Sequence, residues 1–292
     1  LIVGRTAYVE SAQACGLHLV PPGQRDPAAT TTFGVGELLR LAAESGASRI
    51  VVGLGGSATN DGGAGMLAAL GATADVRLDA GGLALRGATR VDISPAVAAV
   101  AGVEILAATD VDNPLLGLTG AAKVFGSQKG ADDNLVLMLD AALEAFAKAI
   151  GRRGDGKDPA VAKGSGAAGG LGYGLLCLGA TRVPGIATVM EATDLQARIR
   201  NCDLVITGEG RFDWQSLRGK VVSGVASATL PTARPCVVIA GDVLVGRREF
   251  SALGISSAYS IAEVVGSVDA SLADPVGTLT QTAARIARTW SH

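Results

Sequence analysis

Five segments gather the side chains that could do chemistry. The first runs Gly53-Leu54-Gly55-Gly56-Ser57-Ala58-Thr59-Asn60-Asp61-Gly62-Gly63. Glycines at such a place let backbone N–H groups turn toward one point, and a following helix start adds positive partial charge. Ser57, Thr59 and Asn60 add side-chain donors, so the loop suits an anionic oxygen. Asp61 cannot bind phosphate directly; it could orient a cation or take a proton. The alternative is a tight turn with Asp61 capping the helix. The segment is neither a Walker loop nor a GxGxxG fingerprint.

The second segment is Thr109-Asp110-Val111-Asp112-Asn113-Pro114. Asp110 and Asp112 share a face if the preceding strand continues, and paired carboxylates suit Mg²⁺. The alternative is an Asx turn closed by Pro114. In the third, Phe125 to Gly130, Lys129 sits between small residues; it could reach a phosphate or stand solvated in a turn. The fourth, Gly164 to Gly174, is a second Gly-rich run leading into a helix. It could cradle a phosphate, with Gly169 and Gly170 at its centre, or serve as a tight packing surface. The fifth, Thr207 to Ser216 followed by Gly219-Lys220, crowds Glu209, Arg211 and Asp213 into one loop after a strand. So many charges are costly to bury unless they pair or meet a ligand. Arg211 could offset transition-state charge, and Asp213 could accept a hydroxyl proton. A surface salt-bridge loop is the plainer alternative.

Short apolar runs alternate with amphipathic stretches and must position these segments. Strands are expected at 50–54, 103–108, 203–207, 235–240 and 255–260. Helices are expected at 36–45, 62–70, 134–150, 189–199, 220–229 and 275–290. That alternation predicts an α/β fold, a Rossmann-like parallel sheet with helices on both faces. Turns at Asp79-Ala80-Gly81-Gly82 and Arg86-Gly87 point instead to hairpins over 75–94. The expected division is therefore a parallel α/β domain of residues 1–72 and 167–292, with residues 73–166 inserted as a second mixed α/β domain. Residues 152–163 read as a surface loop.

Composition excludes several classes. Apolar residues make up 48% of the 292, enough for a sizeable core. A net charge of -2 offers no basic face to nucleic acid. Cys15, Cys177, Cys202 and Cys236 are scattered, with no metal-type spacing, and read as free thiols in a reducing, cytoplasmic compartment. His18 and His292 are too few for a His-based zinc site or a Ser-His-Asp triad. No apolar stretch approaches the ~18 residues that span a bilayer, and no signal segment opens the chain.

Taken together and in order, the five segments resemble the bacterial two-domain glycerate kinase family, whose patterns read approximately IGGSATNDGG, DVxNPL, FGPQKG, GAGAAGG and GEGRxDxQ(S/T)xxGK. Leu54 to Gly63 matches the first and Asp110 to Leu115 the second. Phe125 to Gly130 matches the third with Ser127 for Pro, Gly164 to Gly170 the fourth with one Ser, and Gly208 to Ser216 with Gly219-Lys220 the fifth. Arg25-Asp26-Pro27 and Thr30 to Gly34 are also similar to the family's phrase before its first helix. The resemblance covers almost the whole chain. It implies two α/β domains with the active site in the cleft between them, ATP and Mg²⁺, and D-glycerate as acceptor, with the 2-hydroxyl favoured over the 3-hydroxyl. On this reading Gly55, Gly56, Ser57, Thr59, Asn60, Gly169 and Gly170 hold phosphates and Asp110 with Asp112 holds the metal. Lys129 and Arg211 neutralise oxygens and the substrate carboxylate, and Asp213 is the base. The family's APDSFKG-like and ADGGEGT-like loops are not matched, and Val221 and Val222 replace the usual residues after the motif lysine. The rival expectations are a binding protein without turnover, a kinase of another small hydroxy acid, and an incomplete, inactive polypeptide. Oligomeric state is not legible; a homodimer is simply the commonest case.

Overall fold

Ile50, Val51 and Val52 are buried on both faces of their strand, the pattern of a parallel sheet covered on both sides. In the computed structural model, which describes residues 1–217 and 221–291, that strand is β3 (Arg49–Gly53). It lies at the centre of a five-stranded sheet of order β1-β2-β3-β6-β7. The others are β1 (Ile2–Val3), β2 (Thr6–Glu10), β6 (Glu104–Ala108) and β7 (Thr181–Val183). All neighbours are parallel except β1, which runs antiparallel to β2. Between β3 and β6, β4 (Thr73–Ala74) pairs antiparallel with β5 (Val91–Asp92), and the stretch between them holds a 3-10 turn at Gly82–Leu85 in place of the tight hairpins expected at 79–82 and 86–87.

The first helices are α1 (Ala12–Cys15), α2 (Phe33–Glu44), α3 (Ala64–Ala69) and α4 (Ser94–Ala99). They are followed by α5 (Ala121–Phe125), α6 (Asp133–Ile150) and α7 (Ala167–Cys177). Helix α2 buries Val35, Leu39 and Ala42 at helical spacing. Its Gly36 lets α3 come close: a Cβ there would lie 2.4 Å from the Met66 carbonyl oxygen. Helix α6 starts at Asp132, whose carboxylate accepts from the Leu135 amide at 2.7 Å. It buries Val136, Leu139, Leu143 and Phe146, and Phe146 meets Tyr173 of α7 edge-on.

Packing divides the chain at Gly185. One compact unit is Leu1–Gly185 and the other Ile186–His292. This differs from the expected insertion of 73–166. Strand β6 lies inside the first sheet between β3 and β7, and Leu78, Leu85, Leu143 and Phe146 share one core with Ile50 and Met66. The intervening residues cannot be separated from that core.

The second unit is built on a three-stranded parallel sheet of order β10-β9-β8. Its strands are β8 (Val205–Phe212), β9 (Cys236–Val243) and β10 (Ile255–Ser260). Its helices are α8 (Gly185–Ala192), α9 (Leu195–Arg200), α10 (Val221–Thr229), α11 (Arg247–Ser251), α12 (Ile261–Val265), α13 (Val268–Ala273) and α14 (Pro275–Trp290). Phe212, Val222, Val238, Phe250 and Ile255 form its core. The expected helix over 189–199 is instead two, parted at Asp194, which adopts a left-handed φ of 49°. Among the described residues, no helix is long and apolar enough to cross a membrane.

Candidate active site

The loop after β3 is strapped along one side and open along another. The Gly56 carbonyl accepts from the Leu17 amide, and the Ala58 amide donates to the Cys15 carbonyl. Among the described residues, no acceptor takes the amides of Gly55, Gly56, Ser57 or Asn60. Gly55 and Gly56 are exposed, whereas Ser57 to Asn60 are buried. The Asn60 side-chain amide is fully buried with neither its Oδ1 nor its Nδ2 paired. Unsatisfied donors beside exposed glycines are what an anion needs from a backbone.

The start of α3 does not contribute to this seat. Asp61 has taken its donors: Oδ1 accepts from the Gly63 amide, and Oδ2 from the Gly65 amide. The same Oδ2 accepts from the Thr32 amide and hydroxyl at 2.8 Å each, while the Met66 amide donates to Thr32 Oγ1. Asp61 thus joins the starts of α2 and α3, the capping alternative in an extended form. Burial pushes its carboxyl above the usual range, and the four donors oppose that shift. Thr32 was not singled out in the sequence. Three successive threonines before a helix give no sign of which one pairs with Asp61.

Lys129 lies beneath the loop and is 2% exposed. Its Nζ donates to Ser57 Oγ at 3.0 Å and to the Thr59 carbonyl at 2.6 Å. Desolvation pushes its ammonium down to about 8, opposed by Cys15 and Asp61. Burial also raises the Cys15 thiol to about 11. Lys129 therefore meets the loop from within and does not stand solvated in a turn.

The second Gly-rich run backs onto the first. Ala168, Gly169 and Gly170 are successive left-handed residues (φ 52°, 67° and 88°) inside α7. Gly169 accepts from the Gly62 amide. A Cβ on Gly169 would stand 1.9 Å from the Thr59 carbonyl oxygen, and one on Gly170 2.7 Å from Gly62 Cα. Both glycines are buried. Their surroundings fit the packing alternative: they brace the loop.

Asp110 and Asp112 follow β6 and are exposed. Asp110 Oδ1 accepts from the Gly185 amide at 2.9 Å, and its Oδ2 has no partner among the described residues. Asp112 pairs with Arg182 at 2.6 Å and Lys163 at 3.4 Å. Among the described residues, no three His, Cys, Asp or Glu converge as a metal cage. Mg²⁺ does not require one, since it binds through one or two carboxylates together with substrate phosphates.

In the second unit β8 runs on through Phe212, past the expected end at Thr207. Glu209 and Arg211 are therefore strand residues, and Arg211 stands in register with Asp242 of β9. The Asp213 carboxylate accepts from the Gln215 amide at 2.8 Å, while its own amide donates to Ser216 Oγ. One oxygen of Glu209 is buried without a partner among the described residues. Gly219 and Lys220 lie outside the described residues. Ser57, Thr59, Asn60, Lys129 and Gly169 come together in the first unit, whereas Arg211 and Asp213 belong to the second.

A model of the glycerate kinase family matches residues 1–291. The chain belongs to the glycerate kinase family. Membership makes it a transferase of the kinase class. It is 41% identical to the glycerate kinase of Haemophilus influenzae over 98% of its own length and 76% of that protein. It is 43% identical to the glycerate 2-kinase of Escherichia coli over 91% of its length and 71% of the relative. Among solved structures, a Salmonella typhimurium LT2 protein provisionally assigned as glycerate kinase 2 superposes with a TM-score of 0.72. That match has 38% identity and covers 96% of this chain and 77% of the other.

Proposed function

We propose that this protein transfers the γ-phosphoryl group of ATP to D-glycerate, at the 2-hydroxyl, with Mg²⁺. The observation that carries this reading is the run of amides at Gly55, Gly56 and Ser57 that have no acceptor among the described residues, two of them on exposed glycines. Phosphoryl transfer asks a protein mainly for positioning and for charge stabilisation. The Gly55–Ser57 amides are the proposed seat for phosphate oxygens. Gly169 and Gly170 keep that seat in shape by packing on Thr59 and Gly62.

Asp110, with its unpaired Oδ2, would hold Mg²⁺; Asp112, already bound to Arg182 and Lys163, would orient the segment. When bound, the ion supplies charge neutralisation on the phosphate oxygens. Asp213 is the proposed base. Its backbone turn with Gln215 and Ser216 fixes the carboxylate, and its second oxygen has no partner among the described residues to compete for a hydroxyl proton. Arg211 would stabilise developing charge on the transferred group or hold the substrate carboxylate. The choice of the 2-hydroxyl rests on the resemblance to the family.

The test is turnover of ATP with D-glycerate, with the phosphorylated carbon identified by NMR. Gly55→Asp is the matching variant. A Cβ at Gly55 meets nothing within 4 Å, so the change adds a negative charge without strain. KM for ATP should rise at least ~10-fold, while Gly55→Ser should stay near wild type. An unchanged KM in Gly55→Asp would remove the loop from phosphate binding. ATP binding without turnover on any small hydroxy acid would favour a binding role.

A further inference from the structure

Peptide planes decide where the loop's donors point. A carbonyl and the N–H on the same trans peptide face opposite ways. The Gly56 carbonyl is held by the Leu17 amide, so the Ser57 N–H must point away from Leu17. Lys129 Nζ holds the Thr59 carbonyl at 2.6 Å, so the Asn60 N–H must point away from Lys129. Ser57 Oγ accepts from the same Nζ, so its own proton is free to be donated elsewhere. One ammonium therefore sets two successive parts of the loop. It is itself fixed: it follows a short turn closed by the Lys129 amide on the Gly126 carbonyl. Gly130 has φ 101° and lies so close to Arg25 that a Cβ would stand 2.5 Å from its carbonyl oxygen.

We propose that Lys129 is a positioning residue for phosphoryl transfer, fixing the Gly55–Asn60 backbone through Ser57 Oγ and the Thr59 carbonyl and lending positive charge to the anion-binding amides from behind. It does so without touching the substrate, because its Nζ is enclosed beneath the loop. This rests on the reading of the loop as the phosphate seat.

The charge is titratable in an accessible range. Burial holds Lys129 at about 8. The groups facing it are Cys15 of α1 and Asp61 of the loop. Arg25 lies against the neighbouring Gly130, with its Nε buried and unpaired. Cys15 remains a thiol until about 11, so Lys129 is the member of this cluster that changes charge at mild alkalinity. A neutral amine still donates two hydrogen bonds. Alkali therefore removes the charge while the loop keeps its support.

Calorimetric titration of Mg-ATP into wild type, Lys129→Met and Gly55→Asp tests the proposal. Measurements at about pH 7 and about pH 9.5 bracket the buried and the ordinary lysine range. Wild type should lose about tenfold in affinity between them. Lys129→Met should start about tenfold weaker and stay flat. Equal affinity and equal pH dependence in the two proteins would overturn the proposal. If Lys129→Met fails to fold, wild type decides alone: constant affinity across the range also overturns it, since a purely structural lysine predicts no such limb. Gly55→Asp separates the levels. If it binds ATP as tightly as wild type, the phosphate-seat reading itself has failed. If it binds weakly while Lys129→Met binds normally, only the lysine proposal falls.

Discussion

Gly169→Ala tests the contact on which the loop's shape depends. The added methyl would stand 1.9 Å from the Thr59 oxygen, 2.7 Å from its carbonyl carbon and 2.8 Å from Asn60 Cα. All three are backbone atoms, so no side chain can rotate aside. The residue also has φ 67°, where a Cβ costs roughly 1–2 kcal/mol. Overpacking adds roughly 1–3 kcal/mol. The expected destabilisation is therefore about 2–5 kcal/mol, the sum of these two ranges. Gly87→Ala provides the control, because Gly87 has φ 82° and nothing within 4 Å of its Cβ position. It should show the backbone cost alone. Urea unfolding of both variants, with KM for ATP, separates the terms. Gly169→Ala should be the less stable by the packing cost, and its KM should rise because the Thr59 carbonyl is displaced from Lys129. If the two variants lose the same stability and both keep wild-type KM, the bracing role of Gly169 is refuted.

Asp61→Ala leaves the Thr32, Gly63 and Gly65 amides without their acceptor and should cost at least ~3 kcal/mol in urea melts; a loss under about 1 kcal/mol would deny it the joining role. The lowered Lys129 pKa also makes a stability prediction. Between about 8 and the unfolded value near 10.5, the unfolded chain binds more protons, so stability should rise with pH over that window relative to Lys129→Met. Parallel melting curves for the two proteins from pH 8 to 10 would contradict it. Asp213→Asn keeps an oxygen for the Gln215 amide and should cut kcat by at least ~10²-fold with little change in Tm. An unchanged kcat would release Asp213 from the base role. Chelating Mg²⁺ should abolish turnover and readdition should restore it, with no shift in far-UV CD if Asp110 holds the ion only with substrate present.

The strands rich in Ile and Val were legible because apolar runs bounded by glycine carry their own signal, and β3, β6, β9 and β10 fall where expected. Strand β2 was not. Thr6–Glu10 mixes polar and aromatic residues, and it is its pairing with Arg49–Gly53 and with Ile2–Val3 that makes it a strand. The overrun of β8 has the same origin: Gly208 and Gly210 suggest a loop, yet Gly208 is needed because a Cβ there would lie 2.1 Å from the Ile239 oxygen of β9. The packing division at Gly185 differs from the expected insertion because composition cannot tell an inserted domain from a crossover that returns a strand to the same sheet. The site segments were readable as residue types. Their orientation was legible only in part: Asp61 as a helix cap was one of the two readings, whereas its tie to Thr32 and the inward turn of Lys129 were not. Both depend on contacts between residues distant in the chain, Thr32 with Asp61 and Lys129 with Thr59.

The backing of Thr59 by Gly169 also sets an order of events during synthesis. The loop after β3 leaves the ribosome early, yet the surface that braces it is made only when α7 has emerged. Domains mature as their contacts become available, and pairings between distant segments close late. A nascent chain halted before Gly169 would carry the glycine loop and its lysine without the wall behind them. On the proposed reading of the loop as the phosphate seat, affinity for a phosphate should then arise abruptly as α7 docks, late in the folding of the first unit.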